Sequence, residues 1–239
     1  MVKLRKAFSM ILTLMLALSM SIPAHAAETE ASVSDIEYFS SDSVIGNKIM
    51  NVANQLREES NKGLSEEELN ELANELLGVN ANSGNLRTAY DLDGYITNQL
   101  NSQERTLYDN HRAKALLCIS NGVLATNYAN DAYAKENLHN GNGDAFRHTI
   151  WNFGMVIDVG YDFAKQWSDA HEYGTSGNPE IERTMDLYNN GVGLKLGKDN
   201  PNTALHSAFK KKTTEKVDGG YCRTIKNGKL AWSDSSGKK

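Results

Sequence analysis

Between Gly141 and Gly193, acidic, amide, imidazole and aromatic side chains recur every three or four residues, and this spacing most constrains the fold. Side chains four apart share one face of an α-helix, whereas strand residues alternate between faces. Asp144 and His148 are such a pair, and so are Arg147 and Trp151. Asp162, Gln166 and Asp169 make a second row that Glu172 extends, and Asp186 with Asn189 and Asn190 makes a third. The spacing predicts helices over 144–158 and 161–173, joined near Gly160. A third helix starts with Pro179 at its first position and runs to about 190, stopping among Gly191–Gly197. Only three prolines and 8% aromatic residues also favour helices over a sandwich. The fold class is therefore mostly α. It is a helical bundle-like domain with a small C-terminal β-hairpin, because Asn227-Gly228 between Tyr221–Ile225 and Lys229–Ser233 specifies a type I′ turn.

The rest of the chain reads as delivery, spacer and scaffold. Residues 1–26 have the layout of a signal peptide: Lys3, Arg5 and Lys6, then an uncharged apolar run, then Ala24-His25-Ala26 as a cleavage site. The apolar run is shorter than the ~20 residues that span a bilayer. The expectation is a secreted, extracellular protein with no transmembrane segment after cleavage. Removing 26 residues from 239 leaves 213, and the formal charge moves from −5 to −8 because the leader carries three basic residues and no acid. That balance excludes wrapping a nucleic-acid backbone, which needs clustered Lys and Arg. The one basic cluster, Lys210-Lys211-Lys212, reads as a solvated helix end.

Residues 27–93 are expected to hold an acidic arm, a helical hairpin over about 44–78 and a linker rich in Asn, Gly and Ser. Residues 94–239 form the helical domain. In the hairpin, Ser65 and Glu68 make a capping box, Leu69, Leu72, Ala73, Leu76 and Leu77 line one face, and Gly78 is the stop. Ser102 is read as the cap of one long helix that reaches about Ala134 and backs the site. Thr203 to Lys212 is read as a short helix. Cys118 and Cys222 are the only cysteines. A bridge would close a loop of about 100 residues and stabilise by ~4.7 kcal/mol in the chain-entropy model. The alternative is that Cys118, within Leu116-Leu117-Cys118-Ile119, packs as a buried thiol.

If the three polar rows converge, one cavity holds an imidazole with carboxylates and carboxamides around it. A carboxylate fixes the tautomer of such an imidazole and stabilises its protonated form, so the pair can work as a general base. His148 and Asp169 are the catalytic candidates on this reading. Asp144, Arg147, Trp151, His171, Glu172, Asp186, Asn189 and Asn190 support them, with Asp144 also in an N-cap position. The bland alternatives are a satisfied core histidine, a buried cap or ion pair for Asp169, and core packing for Trp151. A divalent cation is also admissible, with Asp144, His148, Asp169 and His171 as candidate ligands. The chain has no H-E-x-x-H, no clustered cysteine pair and no D-x-D-x-D-G loop.

Three motifs in order carry a family likeness: Asp144-Ala145-x-Arg147-His148-x-x-Trp151, Asp169-Ala170-His171-Glu172, and Met185-Asp186-Leu187-x-Asn189-Asn190-x-x-Gly193. Together they resemble a widespread bacterial and phage domain family of uncharacterised function, over about 140–195. The resemblance implies a mostly helical secreted module and brings no settled reaction. Separately, Ala145-x-x-His148-x-x-Trp151 followed by Asp169 resembles the small prokaryotic secreted phospholipases A2. That likeness implies a helical His paired with an Asp on the antiparallel neighbour, activating water against an ester, with calcium at the oxyanion. Two positions depart from it. Thr149 stands where those enzymes place a calcium-binding Asp, and the Gly-rich Asn140–Gly143 stretch lies too close to His148 to be their calcium loop.

Three functions follow as expectations. The first is a secreted hydrolase acting on lipids or phosphoesters, with a lipid or cell-envelope substrate. The second is a non-enzymatic envelope or partner-binding protein whose polar rows fix helix packing. The third is an effector or toxin module.

Overall fold

In the computed structural model, residues 44–79, 92–203 and 206–239 are described. The leader, the acidic arm and most of the expected linker lie outside them. All the described residues fall in one unit spanning Val33–Lys239. The elements among them are α1 (Val44–Asn61), α2 (Glu66–Leu76), α3 (Leu92–Gln99), α4 (Ser102–Asn110), α5 (Arg112–Ala132), α6 (Asn142–Val159), α7 (Tyr161–Gly174), α8 (Glu180–Asp199) and α9 (His206–Asp218). A two-stranded antiparallel ribbon follows, β1 (Arg223–Lys226) and β2 (Lys229–Trp232). None of these helices is long and apolar enough to cross a membrane.

The local signals that were chemically specific produce the expected elements. Ser65 Oγ accepts the Glu68 backbone N–H at 3.3 Å, and the Glu68 carboxylate accepts the Ser65 N–H at 2.9 Å. Asn227 and Gly228 both have positive φ, at 53° and 70°, as a type I′ turn requires. Gly160, at φ 80°, separates α6 from α7.

Elsewhere tertiary contacts move the boundaries. The segment expected as one long helix from Ser102 is two helices broken at His111, whose backbone sits at φ −138° and ψ 53°. The first is capped by Asn101 rather than Ser102. Its side chain accepts from Gln103 and Glu104, and Glu104 reaches back to the Asn101 N–H at 2.9 Å. The second begins at Arg112, where Asn70 from α2 accepts the Ala113 N–H at 2.9 Å. The helix α3 occupies ground that the composition assigned to linker and loop. The helix α8 continues past its glycines to Asp199, and Pro179 stands one position before its first residue. The helix α9 starts later than expected and runs to Asp218, so Lys210–Lys212 lie inside it.

Within α8, Gly193 and Gly197 are close-approach residues rather than stops. A Cβ on Gly193 would strike the Thr149 carbonyl oxygen and lie 2.7 Å from Asn152 Cβ, and one on Gly197 would strike the Val156 side chain. The helix α6 is the centre of the molecule, packed against α5, α7, α8, α9 and β1. Trp151 of α6 is fully buried and donates its indole N–H to the Cys118 carbonyl at 3.0 Å.

Cys118 and Cys222 are both free and both buried, so the bridge is not formed. Burial pushes the Cys118 thiol well above its usual range and the Cys222 thiol up to about 11. With a pKa near 11, about one thiol in a thousand is thiolate at pH 8, against roughly a quarter for a free cysteine. The folded chain is therefore expected to react with an aromatic disulfide reagent at least ~100-fold more slowly than the unfolded chain, which should titrate both thiols. Recovery of no thiol in denaturant would mean that the two are bridged.

Candidate functional site

Every acidic, basic or imidazole side chain that is buried among the described residues belongs to one group: Glu104, Asp144, Arg147, His148, His171, Glu172 and Asp186. Four helices supply them. Glu104 comes from α4, Asp144, Arg147 and His148 from the first two turns of α6, His171 and Glu172 from the last turn of α7, and Asp186 from α8. Asn152 and Asn190 join them as buried amides.

His148 sits in the middle. Its Nδ1 lies 3.1 Å from Asn190 Oδ1, and Asn190 Nδ2 donates to Glu172 Oε1 at 2.8 Å. The Glu172 bond fixes which way the Asn190 amide faces. Its carbonyl is therefore turned to the imidazole, and His148 Nδ1 carries the proton that it donates. Asn152 Nδ2 donates to the same Asn190 oxygen at 2.7 Å and to the His148 carbonyl at 3.1 Å. The opposite ring edge faces two carboxylates: Nε2 is 3.3 Å from Asp186 Oδ1 and 3.5 Å from Asp144 Oδ1. Asp144 is held in turn. Arg147 donates to its Oδ1 at 2.5 Å, and the Asn140 backbone N–H donates to its Oδ2 at 2.6 Å. Gly141 is the N-cap of α6, so Asp144 is in the first turn and reaches back to the chain before the helix.

A second imidazole completes the group. His171 Nδ1 is 2.8 Å from Glu104 Oε1, and its ring lies edge-on to Trp151, whose other neighbour is the His148 ring at 6.4 Å. The two imidazoles have opposite electrostatics. Burial, with Arg147 and His171 adding to it, pushes His148 down to about 3, so its ring is neutral at neutral pH. Burial would also lower His171, but the Glu104 hydrogen bond and charge overcome it and hold His171 above its usual value. Burial tends to raise Asp144, yet the Arg147 charge and hydrogen bond, with the Asn140 N–H, leave it below the carboxylate range, whereas burial raises Glu172.

The pairing of His148 with Asp169 is not what the structure builds. Asp169 lies part-exposed on the outside of α7, bonded to Lys165 one turn earlier at 2.5 Å. Its row, Asp162-x3-Gln166-x2-Asp169, is a solvated face. Asp144, Arg147, His148, His171, Glu172, Asp186 and Asn190 do converge. Asn189 turns instead to the ribbon, accepting the Arg223 N–H at 2.8 Å and donating to the Arg223 carbonyl at 2.9 Å. Among the four residues named as metal candidates, Asp144 and His148 meet and Asp169 does not join them. His171 is engaged by Glu104. The residue that reasoning from spacing missed is Glu104. Its capping-box position three after Asn101 was readable, but nothing local linked it to His171, 67 residues away.

All seven are buried. A cleft of about 620 Å³ lies further along α6, lined by residues such as Arg57, Asn121, Tyr128, Ile150, Asp158 and His206, and it contains none of the seven. There Asp158 accepts from Arg57 at 2.7 Å and from Asn121 at 2.6 Å, which ties α1 to α5 and α6.

Residues 105–220 match the model of a family described as a domain of unknown function (DUF6973). The matched span begins one residue after Glu104, ends before the ribbon, and contains the six other members of the group. No curated protein and no solved structure matches the chain.

Proposed function

We propose that the chain is a secreted protein whose helical domain is a hydrolase for lipid esters or phosphoesters, with His148 as its general base. The observation that carries this reading is the gathering of all seven buried acid, base and imidazole side chains into one group built on two imidazoles, His148 and His171. Burying ionised groups costs several kcal/mol each after relaxation, and well-packed apolar residues often serve stability as well or better. Perturbed groups held together at such cost mark functional sites more often than scaffolds. In this mechanism Asn190, rather than Asp169, orients His148. Because a ring held at about 3 is a weak base at rest, Asp144 and Asp186 beside Nε2 must stabilise the imidazolium as a water loses its proton there. The likeness to secreted phospholipases A2 rests on Ala145, His148 and Trp151 and supports an ester substrate. The leader over residues 1–26 supports secretion.

A second reading has its own observation: all seven side chains are buried and the described cleft lies elsewhere. On that reading the network fixes the packing of four helices in an envelope or partner-binding protein. One experiment separates the two. Wild type and His148→Gln are assayed on phospholipid and phosphodiester panels, with melting curves for both. General-base catalysis is worth about 10²- to 10⁴-fold, so the hydrolase reading expects at least a 100-fold loss in a variant that still melts cooperatively. Equal residual turnover in both proteins leaves the packing role.

A further inference from the structure

We infer that Asp144, His148 and Asp186 bind one divalent cation of the zinc or manganese type, through Asp144 Oδ1, His148 Nε2 and Asp186 Oδ1. The three atoms lie within 4.8 Å of one another, and all three side chains are buried. The inference concerns the same site as the hydrolase reading but replaces its base. A ligated Nε2 has no lone pair left to take a proton, so a metal-bound water would supply the nucleophile, and the metal is read by its presence and not by turnover.

Three features carry it. The first is the direction of the imidazole. Because Glu172 fixes the Asn190 amide and Asn190 Oδ1 takes the Nδ1 proton, the Nε2 lone pair of the neutral ring points at two carboxylate oxygens. Three electron-rich atoms facing one another repel, and a cation among them would offset that beyond what Arg147 supplies at Asp144 Oδ1, 2.5 Å away. The second is spacing. A proton on Nε2 would favour one oxygen and draw it to ~2.7–2.9 Å. Here both oxygens stand off, at 3.3 and 3.5 Å. Donors bound at ~2.1 Å to a tetrahedral ion are roughly 3.4 Å apart, which matches the two distances from His148 Nε2, while the two carboxylate oxygens lie within 4.8 Å of each other. The third is the outer support. Metal-bound histidines donate their other ring N–H to a fixed acceptor, and metal-bound carboxylates are themselves hydrogen-bonded. Asn190 plays the first part, and Arg147 with the Asn140 N–H plays the second toward Asp144.

The donor set selects the ion. An imidazole with two carboxylates suits zinc, manganese or iron, whereas calcium prefers six to eight oxygens. The position left by three protein ligands is where a metal-bound water would sit.

The test is metal content. The full chain is expressed, purified, exposed to excess Zn²⁺ or Mn²⁺, and dialysed. The expected result is close to one ion per chain by elemental analysis, and a melting temperature that falls when a chelator strips it. His148→Gln and Asp186→Asn should weaken binding at least tenfold, while Asp169→Asn, on the outer face of α7, keeps full stoichiometry. Wild type that retains neither ion and melts identically with and without them would overturn the assignment. So would full retention by a folded Asp186→Asn variant. Metal bound without turnover on any panel would remove the hydrolase reading and leave the site.

Discussion

Gly193→Val is expected to abolish folding, and Gly193→Ala to cost about 3 kcal/mol, at the upper end of the range for an overpacked core. The reason is which atom is struck. A flexible side chain could swing away from a new methyl group, but the Thr149 carbonyl belongs to the backbone of α6 and can yield only if the two helices part. Parting them would also move His148 away from Asp186, since those residues lie on the same two helices. At 2–4 °C per kcal/mol for a chain of this size, the alanine variant should melt roughly 6–12 °C below wild type. Gly191 supplies the control. It is in the same helix and exposed, with nothing within 4 Å of a Cβ. There alanine should stabilise by about 0.5–1 kcal/mol, because glycine inside a helix gives up more chain entropy. Thermal unfolding by circular dichroism measures both, and equal melting of Gly193→Ala and wild type would contradict the described approach of α6 and α8.

Glu104→Gln is expected to be the most damaging isosteric change in the polar group. One carboxylate oxygen pairs with His171 and the other accepts the Asn101 N–H. An amide can accept in only one of those places and can no longer balance a buried imidazolium. Breaking a buried pair by removing one partner costs about 3–5 kcal/mol. The pH dependence identifies the cause. His171 is held above its usual value in the folded protein, so its stabilising contribution is fully present below about pH 6.5 and is lost as pH rises through the folded value. The difference between wild type and Glu104→Gln should therefore be largest near pH 6 and shrink in alkali. Denaturant melts at pH 6 and pH 9 test this, and a difference that does not change with pH would assign the damage to the helix cap alone.

What could be read from the sequence divides by range. Elements specified by neighbours a few residues apart were legible: the Ser65 capping box, the Asn227-Gly228 turn and the two helices flanking Gly160. So was the convergence of Asp144, His148, Asp186 and Asn190, because each lies on a helical face at regular spacing; Glu172 joins them although the row it was read as extending faces solvent. Features set across helices were not legible. Asn70 caps α5 from another helix, so the break at His111 has no local signature. Gly193 and Gly197 looked like stops because their reason, the close approach of α6, is distant in the chain. Asp169 shows the reverse error. Its alternative was an ion pair with Arg147, yet the partner it takes is Lys165, four residues before it on its own helix.

The two-stranded ribbon bears on how the protein behaves in a crowd. A short hairpin normally shows an outer rail of unmet amide and carbonyl groups to which another chain can add. On β1 that rail is occupied: the Asn189 side chain takes both backbone groups of Arg223, and Ile225 donates its N–H to the Asn140 carbonyl at 2.8 Å. The same turn-and-helix segments that hold the polar group thus act as a borrowed third strand, and they deny β1 as a template for edge-to-edge growth.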